Sequence, residues 1–198
     1  MSRYLVGVTG GMASGKSTLV RRFAEAGFHV VDADRIVAEL YAPGGAGAAA
    51  LARLLGPEVL DENGGVHKPA VASIIFSEPQ KRREVEAAIH PLVHAHFKEV
   101  AAQLDGIVVY EATLLVESGH ADAFDLTLSV EADPARRLRW AVGRGMSRED
   151  AAARLEAQGD GAARRAGVDR ILRNDGSLED FEQQIDRLIE ELRRRERG

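Results

Sequence analysis

Hydrophobic and polar positions alternate between two patterns along this chain. Short apolar runs bounded by turn residues predict buried strands at residues 4–8, 28–31, 107–110, 125–130 and 168–172. Between them, apolar residues recur at helical spacing. Leu19, Phe23 and Ala24 mark a first helix, and Leu178, Phe181, Ile185, Leu188, Ile189 and Leu192 a last one over residues 178–195. Strand and helix taking turns predict an α/β fold in three layers, with a parallel five-stranded sheet between helices.

Two stretches depart from simple alternation. Residues 40–104 carry helical patterns without a strand, so they predict a helical insertion between the second and third strands. Within it, residues 69–76 and 80–104 read as helices, and Pro91 predicts a kink or break at His90. Residues 136–167 predict a helix–gap–helix hairpin, with Pro134 opening its first helix and Ser147 capping the second. Arginines on both arms have the layout of a closing lid. The whole chain, 1–198, reads as one domain containing these two embellishments.

Composition narrows the chemistry. The 198 residues contain no cysteine, which excludes disulfides, thiolate metal sites and cysteine catalysis. The formal net charge of −5 offers no field for nucleic acid or anionic membranes, so any phosphate site must be local. No apolar run reaches the ~20 residues of a membrane span. The expectation is a cytoplasmic monomer with small-molecule substrates, and neither nucleic acid nor membrane as a partner.

The first strand runs into Gly10-Gly11-Met12-Ala13-Ser14-Gly15-Lys16-Ser17, which fits the spacing G-x-x-x-x-G-K-S/T, and Thr18 then starts the helix. A chance match in a chain this long is on the order of 1% from residue frequencies. The flanking strand and helix make it rarer still. Backbone N–H groups of such a loop and the helix N-terminus converge on an anion. Lys16 can reach the β- and γ-phosphates, and the Ser17 hydroxyl can ligate Mg²⁺. These residues predict a nucleoside triphosphate site with Mg²⁺.

Other candidates lie where parallel strands end, the edge at which α/β proteins bind ligands. Asp32 and Asp34 follow the second strand; they could bind Mg²⁺, accept a proton or cap the next helix. Glu111 closes the third strand and suits a carboxylate that orients the metal. At least one of Arg139 and Arg144 is expected to neutralise a transferring phosphoryl group. Asn174, Asp175 and Gly176 form a turn over which a purine could lie. His90 and His94, four apart, lack an acidic third ligand for zinc, and His90 reads better as a substrate donor.

Taken in order, the segments TGGMASGKST (from Thr9), DADR (from Asp32), IHP (around His90), LLVE (from Leu114), RGMS (from Arg144) with Gln158, and NDG (from Asn174) resemble the dephospho-coenzyme A kinase family over nearly the whole chain. The resemblance implies ATP-dependent phosphorylation of the ribose 3′-hydroxyl of dephospho-coenzyme A. It implies that Gly11, Met12, Ala13, Ser14, Gly15, Lys16, Ser17 and Thr18 hold the ATP phosphates, and that Asp34 is the general base. Asp32 with Arg35 would lie at the acceptor and near the metal. Lys68, His90, Leu115 and Glu117 would also contact the acceptor, Arg139 and Arg144 belong to the lid, and Asn174–Gly176 lie against adenine.

Five positions differ from the family's usual pattern. Met12 and Ala13 replace Ile and Gly in a loop that commonly reads GGIGSGKS, and Ala13 is expected to keep a negative φ. Thr113 replaces a proline, Lys68 an arginine, and Gly161 the first arginine of an R-x-x-R pair that ends at Arg164. Two competing readings share the loop: another nucleoside or nucleotide kinase, and a regulatory ATPase driven by a partner.

Overall fold

The computed structural model describes residues 3–197. The chain runs β1 (Tyr4–Gly10), α1 (Lys16–Glu25), β2 (His29–Asp32), α2 (Ala33–Leu40), α3 (Ala46–Leu55), α4 (Lys68–Ser77), α5 (Pro79–Ala102) and β3 (Ile107–Glu111). It continues through β4 (Leu126–Glu131), α6 (Pro134–Gly143), α7 (Arg148–Ala157), α8 (Ala162–Ala166), β5 (Arg170–Arg173) and α9 (Leu178–Arg197). The five strands form one sheet in the order β2-β3-β1-β4-β5. β1 pairs in parallel with both β3 and β4, and β4 with β5. The α/β fold expected from the alternating pattern is therefore present.

The chain forms two compact units: one holds the residues up to Val31 and from Leu104 onward, the other Asp32–Gln103. In the first, Val6 and Val8 of β1 are fully buried against Leu19 and Phe23 of α1 and Phe181, Ile185 and Leu192 of α9. Burying each phenylalanine contributes about 2–3 kcal/mol. Gly7, pointing to the opposite face, leaves room for neighbours: a Cβ there would lie 2.7 Å from Leu115 Cδ2 and 3.1 Å from the Phe124 ring. Both faces of the central strand are thus covered, which is why it reads as an unbroken apolar run.

Element ends shift for local reasons. The fifth strand starts at Arg170 rather than at residue 168, because Asp169 is committed to β4. Its carboxylate accepts hydrogen bonds from Thr127 N and Thr127 Oγ1, both 2.7 Å. The glycine loop ends two residues earlier than the pattern suggested, with α1 starting at Lys16.

The second unit is helical. Pro91 does not break α5, which continues through it for 24 residues. Val85, Ile89, Val93, Phe97 and Ala101 form one buried stripe on both sides of the proline, and α5 packs on α2, α3 and α4. An interior proline costs about 3 kcal/mol, and each large apolar side chain on that stripe returns about 1.5–3 kcal/mol. Tertiary packing therefore overrides the local breaker.

Candidate active site

β1 ends at Gly10, and the chain turns through residues 11–15 into the N-terminus of α1. Gly15 caps that helix at φ +106°, and a Cβ on it would lie 2.4 Å from Asn174 Nδ2. Only glycine meets both the angle and the close approach. The Asn174 amide donates to Ser14 O at 2.9 Å, so the turn after β5 is fastened under the loop. Ser14 Oγ is buried and makes no hydrogen bond to another described residue. Ala13 adopts φ +58°, contrary to the negative angle expected of it; among the described residues it is the one non-glycine with positive φ.

Lys16 opens α1, and its ammonium lies 2.9 Å from Glu111 Oε1 at the end of β3. Their side chains are only 17% and 20% exposed. Lys16 Nζ also donates to Thr113 Oγ1 at 3.3 Å, while Thr9 Oγ1 donates to Thr113 O at 2.9 Å. The threonine that stands in place of the usual proline thus adds an acceptor beside the lysine. Lys16, Ser17, Glu111 and Arg144 line a cleft of about 500 Å³ together with residues 10–15. A second cleft of about 550 Å³ shares Ala13, Gly15, Ser17 and Arg144 with it, and is walled by Arg139, Trp140, Asn174 and Gly176. Thr18 lines this second space as well.

Arg136 lies over the Trp140 ring, 5.9 Å from its centroid, and donates to Gly176 O at 2.7 Å. Asp175, expected beside adenine, accepts from Asp133 N at 2.7 Å and so ties the turn to the start of α6. Arg139 and Arg144 are exposed, and both line the second cleft.

Two further residues reach the loop and were absent from the expected site. Arg137 is 4% exposed; its Nε donates to Met12 O at 2.8 Å and its Nη2 to Gln158 Oε1 at 2.6 Å. Gln158 Oε1 also accepts from Met12 N at 2.9 Å. Burial and the neighbouring Arg164 charge lower Arg137 from the usual arginine value, with Glu131 opposing them. Arg164, 3% exposed, pairs with Glu131 at 2.8 Å, and Ser129 Oγ donates to the same carboxylate at 2.6 Å. Arg137 shares the buried face of α6 with Ala141, four residues on, a placement that only the fold reveals.

The remaining candidates lie elsewhere. Leu115 is 1% exposed and packs over Gly7, so in this structure it is a core residue rather than a surface for ligand. Glu117 is exposed in the turn beyond it. In the helical unit, Asp32 is the N-cap of α2, its Oδ1 accepting from Asp34 N at 2.8 Å. Asp34 lies exposed in that first turn, and Arg35 Nε reaches Glu39 Oε1 at 3.3 Å. Lys68 begins α4 and is exposed; His90 is half-buried on α5.

The cleft suits a small hard cation bound together with phosphates. It presents the Ser17 hydroxyl and the Glu111 carboxylate, both oxygen donors. Among the described residues no group of three or more His, Asp or Glu side chains could hold a metal alone. Mg²⁺ keeps water and phosphate ligands and needs few from protein, so this donor set fits it.

Comparisons with known proteins agree with this geometry. A sequence profile of the dephospho-CoA kinase family matches residues 4–180. A dephospho-CoA kinase of Streptomyces avermitilis is 40% identical over 91% of this chain and 89% of its own. One from Cutibacterium acnes is 42% identical over 92% of this chain and 82% of its own. The crystal structure of TT1252 from Thermus thermophilus superposes with a TM-score of 0.81 at 32% identity, covering 97% of this chain and 99% of that one.

Proposed function

The chain belongs to the dephospho-CoA kinase family, and from that premise we propose how its own residues divide the reaction. The enzyme phosphorylates dephospho-CoA at the expense of ATP, giving CoA and ADP, the closing step of CoA biosynthesis. A bond forms between the ribose 3′-oxygen and the γ-phosphorus, the β–γ bridging bond breaks, and the hydroxyl proton leaves to a base. The observation that carries the assignment is the glycine loop at the start of α1, with Lys16 held against Glu111 in the same cleft.

Residues 11–18 cradle the triphosphate through backbone N–H groups, and Lys16 supplies a point charge to the β- and γ-phosphates. Ser17 and Glu111, with Asp32, would hold Mg²⁺, which would supply positive charge to offset that of the triphosphate. Arg144, and Arg139 beside it, stabilise charge on the transferring group once the 136–167 hairpin closes over it and excludes water. Adenine lies in the second cleft, against Trp140 and the Asn174–Gly176 turn. Arg35 and, within the helical segment 40–104, Lys68 and His90 bind the acceptor, and Glu117 is a further acceptor contact.

Asp34 receives the proton. In a loose transition state that proton leaves late, so the main task of Asp34 is to orient the 3′-hydroxyl for in-line attack. Asp34→Asn should then lower kcat at least 100-fold while changing the KM for ATP less than about threefold. Equal losses in both would remove Asp34 from this role.

The reading extends to a cytoplasmic monomer. No helix of the described residues is long and apolar enough to cross a membrane. Light scattering at 21.4 kDa tests the monomer. The reaction is tested by ADP release from Mg-ATP with and without dephospho-CoA, and by the product's mass. Acceptor-dependent ADP with a gain of one phosphoryl group supports it. Phosphorylation of nucleosides instead would favour a different kinase, and hydrolysis without any acceptor would favour a regulatory ATPase.

A further inference from the structure

Met12 is held by both of its backbone polar groups. Its carbonyl accepts from Arg137 Nε at 2.8 Å and its N–H donates to Gln158 Oε1 at 2.9 Å. Arg137 Nη2 closes the ring by donating to that same Gln158 oxygen at 2.6 Å. Arg137 comes from α6 and Gln158 terminates α7, so the two arms of one hairpin grip a single residue of the phosphate loop. The grip is shaped for a guanidinium: a Cβ on Gly11 would lie 2.3 Å from Arg137 Nη2 and 2.6 Å from its Cζ.

The residue next to the ring is Ala13, at φ +58°. A left-handed conformation costs a non-glycine residue roughly 1–2 kcal/mol, and such a conformation persists only where surrounding contacts over-determine it. The ring on Met12 supplies contacts of that kind, immediately before the strained angle. Behind the ring, two buried guanidiniums, Arg137 and Arg164, face one carboxylate, Glu131. A buried positive surplus thus sits beside a loop that receives a polyanion.

We infer that Arg137 and Gln158 are positioning residues: by pinning the Met12 peptide they hold Ala13 in its left-handed turn, which keeps the loop shaped for ATP and couples the α6–α7 hairpin to nucleotide binding. This rests on the reading of residues 11–18 as the ATP phosphate site. It assigns neither residue to the reacting atoms. Its distinguishing consequence is that a glycine at position 13, which adopts the turn without cost, makes the ring less necessary.

The test uses the full-length protein with Gln158→Leu, Arg137→Met, their double variant, and each single variant combined with Ala13→Gly. Trp140 is the one tryptophan in the sequence and lines the second cleft, so its fluorescence reports Mg-ATP binding without acceptor or turnover. Gln158→Leu should weaken Mg-ATP binding about tenfold, raise the KM for ATP to match, and leave kcat and the KM for dephospho-CoA within about twofold. The double variant should be no weaker than the weaker single one, because the ring acts as a unit. Ala13→Gly should restore most of the loss in Gln158→Leu. Unchanged ATP affinity, a loss shared equally by both substrates, or no recovery on adding Ala13→Gly would each overturn the inference. Wild-type protein that binds Mg-ATP but transfers nothing to dephospho-CoA would strike the acceptor reading and leave the ring intact.

Discussion

At the scale of single residues, Ala13 shows how the loop stores strain. Its φ of +58° is one that a Cβ resists, and the neighbouring Met12 is pinned on both sides. Ala13→Gly in otherwise unaltered protein should therefore stabilise the fold by about 0.5–1 kcal/mol, visible as a higher denaturant midpoint at unchanged m-value. A lower midpoint would mean that the alanine side chain makes contacts worth more than the strain. Lys16 makes the opposite point. Its ion pair with Glu111 holds the ammonium in the cleft at 2.9 Å, so a positive charge is fixed beside the glycine loop before any ligand arrives. Thr113 adds its hydroxyl to that arrangement, a contact that a proline could not make.

Between elements, the Glu131–Arg164 pair fastens α8 to the end of β4. Burial opposes ionisation of Glu131, but hydrogen bonds from Arg164 and Ser129, with the Arg164 charge, outweigh it and bring the carboxyl below its ordinary value. The unfolded chain binds that proton more readily, near pH 4.3. The pair's contribution to stability is therefore complete above that pH and is lost as pH falls through the lower folded value. Glu131→Gln should cost about 3 kcal/mol at pH 7, because it leaves a buried guanidinium without its counter-charge. It should also flatten the acid limb of a plot of Tm against pH. An unaltered acid limb in the variant would show that other carboxylates govern acid unfolding; Asp169, also lowered by hydrogen bonds from Thr127, is the next to examine.

For the molecule as a whole, the two clefts around the glycine loop are assembled from β1, β3, α1, the α6–α7 hairpin and the turn after β5. A ligand that ties so many elements together should stabilise the folded state strongly. Mg-ATP at 100 times its Kd should add about 2.7 kcal/mol, which for a chain of this size raises Tm by about 5–10 °C. Differential scanning calorimetry checks this, and also shows whether the unit of residues 32–103 melts together with the rest. A shift confined to one of two transitions would show that the units unfold separately.

Much of this was legible from residue order. A buried parallel strand needs a continuous apolar run, a phosphate loop needs glycines at set spacing before a helix, and both are local patterns. Lys16, Ser17 and Glu111 could be named as a group because strand ends and helix starts meet at one edge of any parallel sheet. The grip of Arg137 and Gln158 on Met12 could not be read, because residues 125 and 146 positions away reach it only through the folded hairpin. Pro91 was misjudged for the same reason: its local effect is to break a helix, and packing on three other helices outweighs it. The angle at Ala13 also lay beyond sequence, since an alanine prefers negative φ unless its surroundings decide otherwise. Residue order determined the sheet, the phosphate loop and the family's reaction; tertiary structure alone decided which side chains hold that loop in shape, because those contacts join parts of the chain that no local period relates.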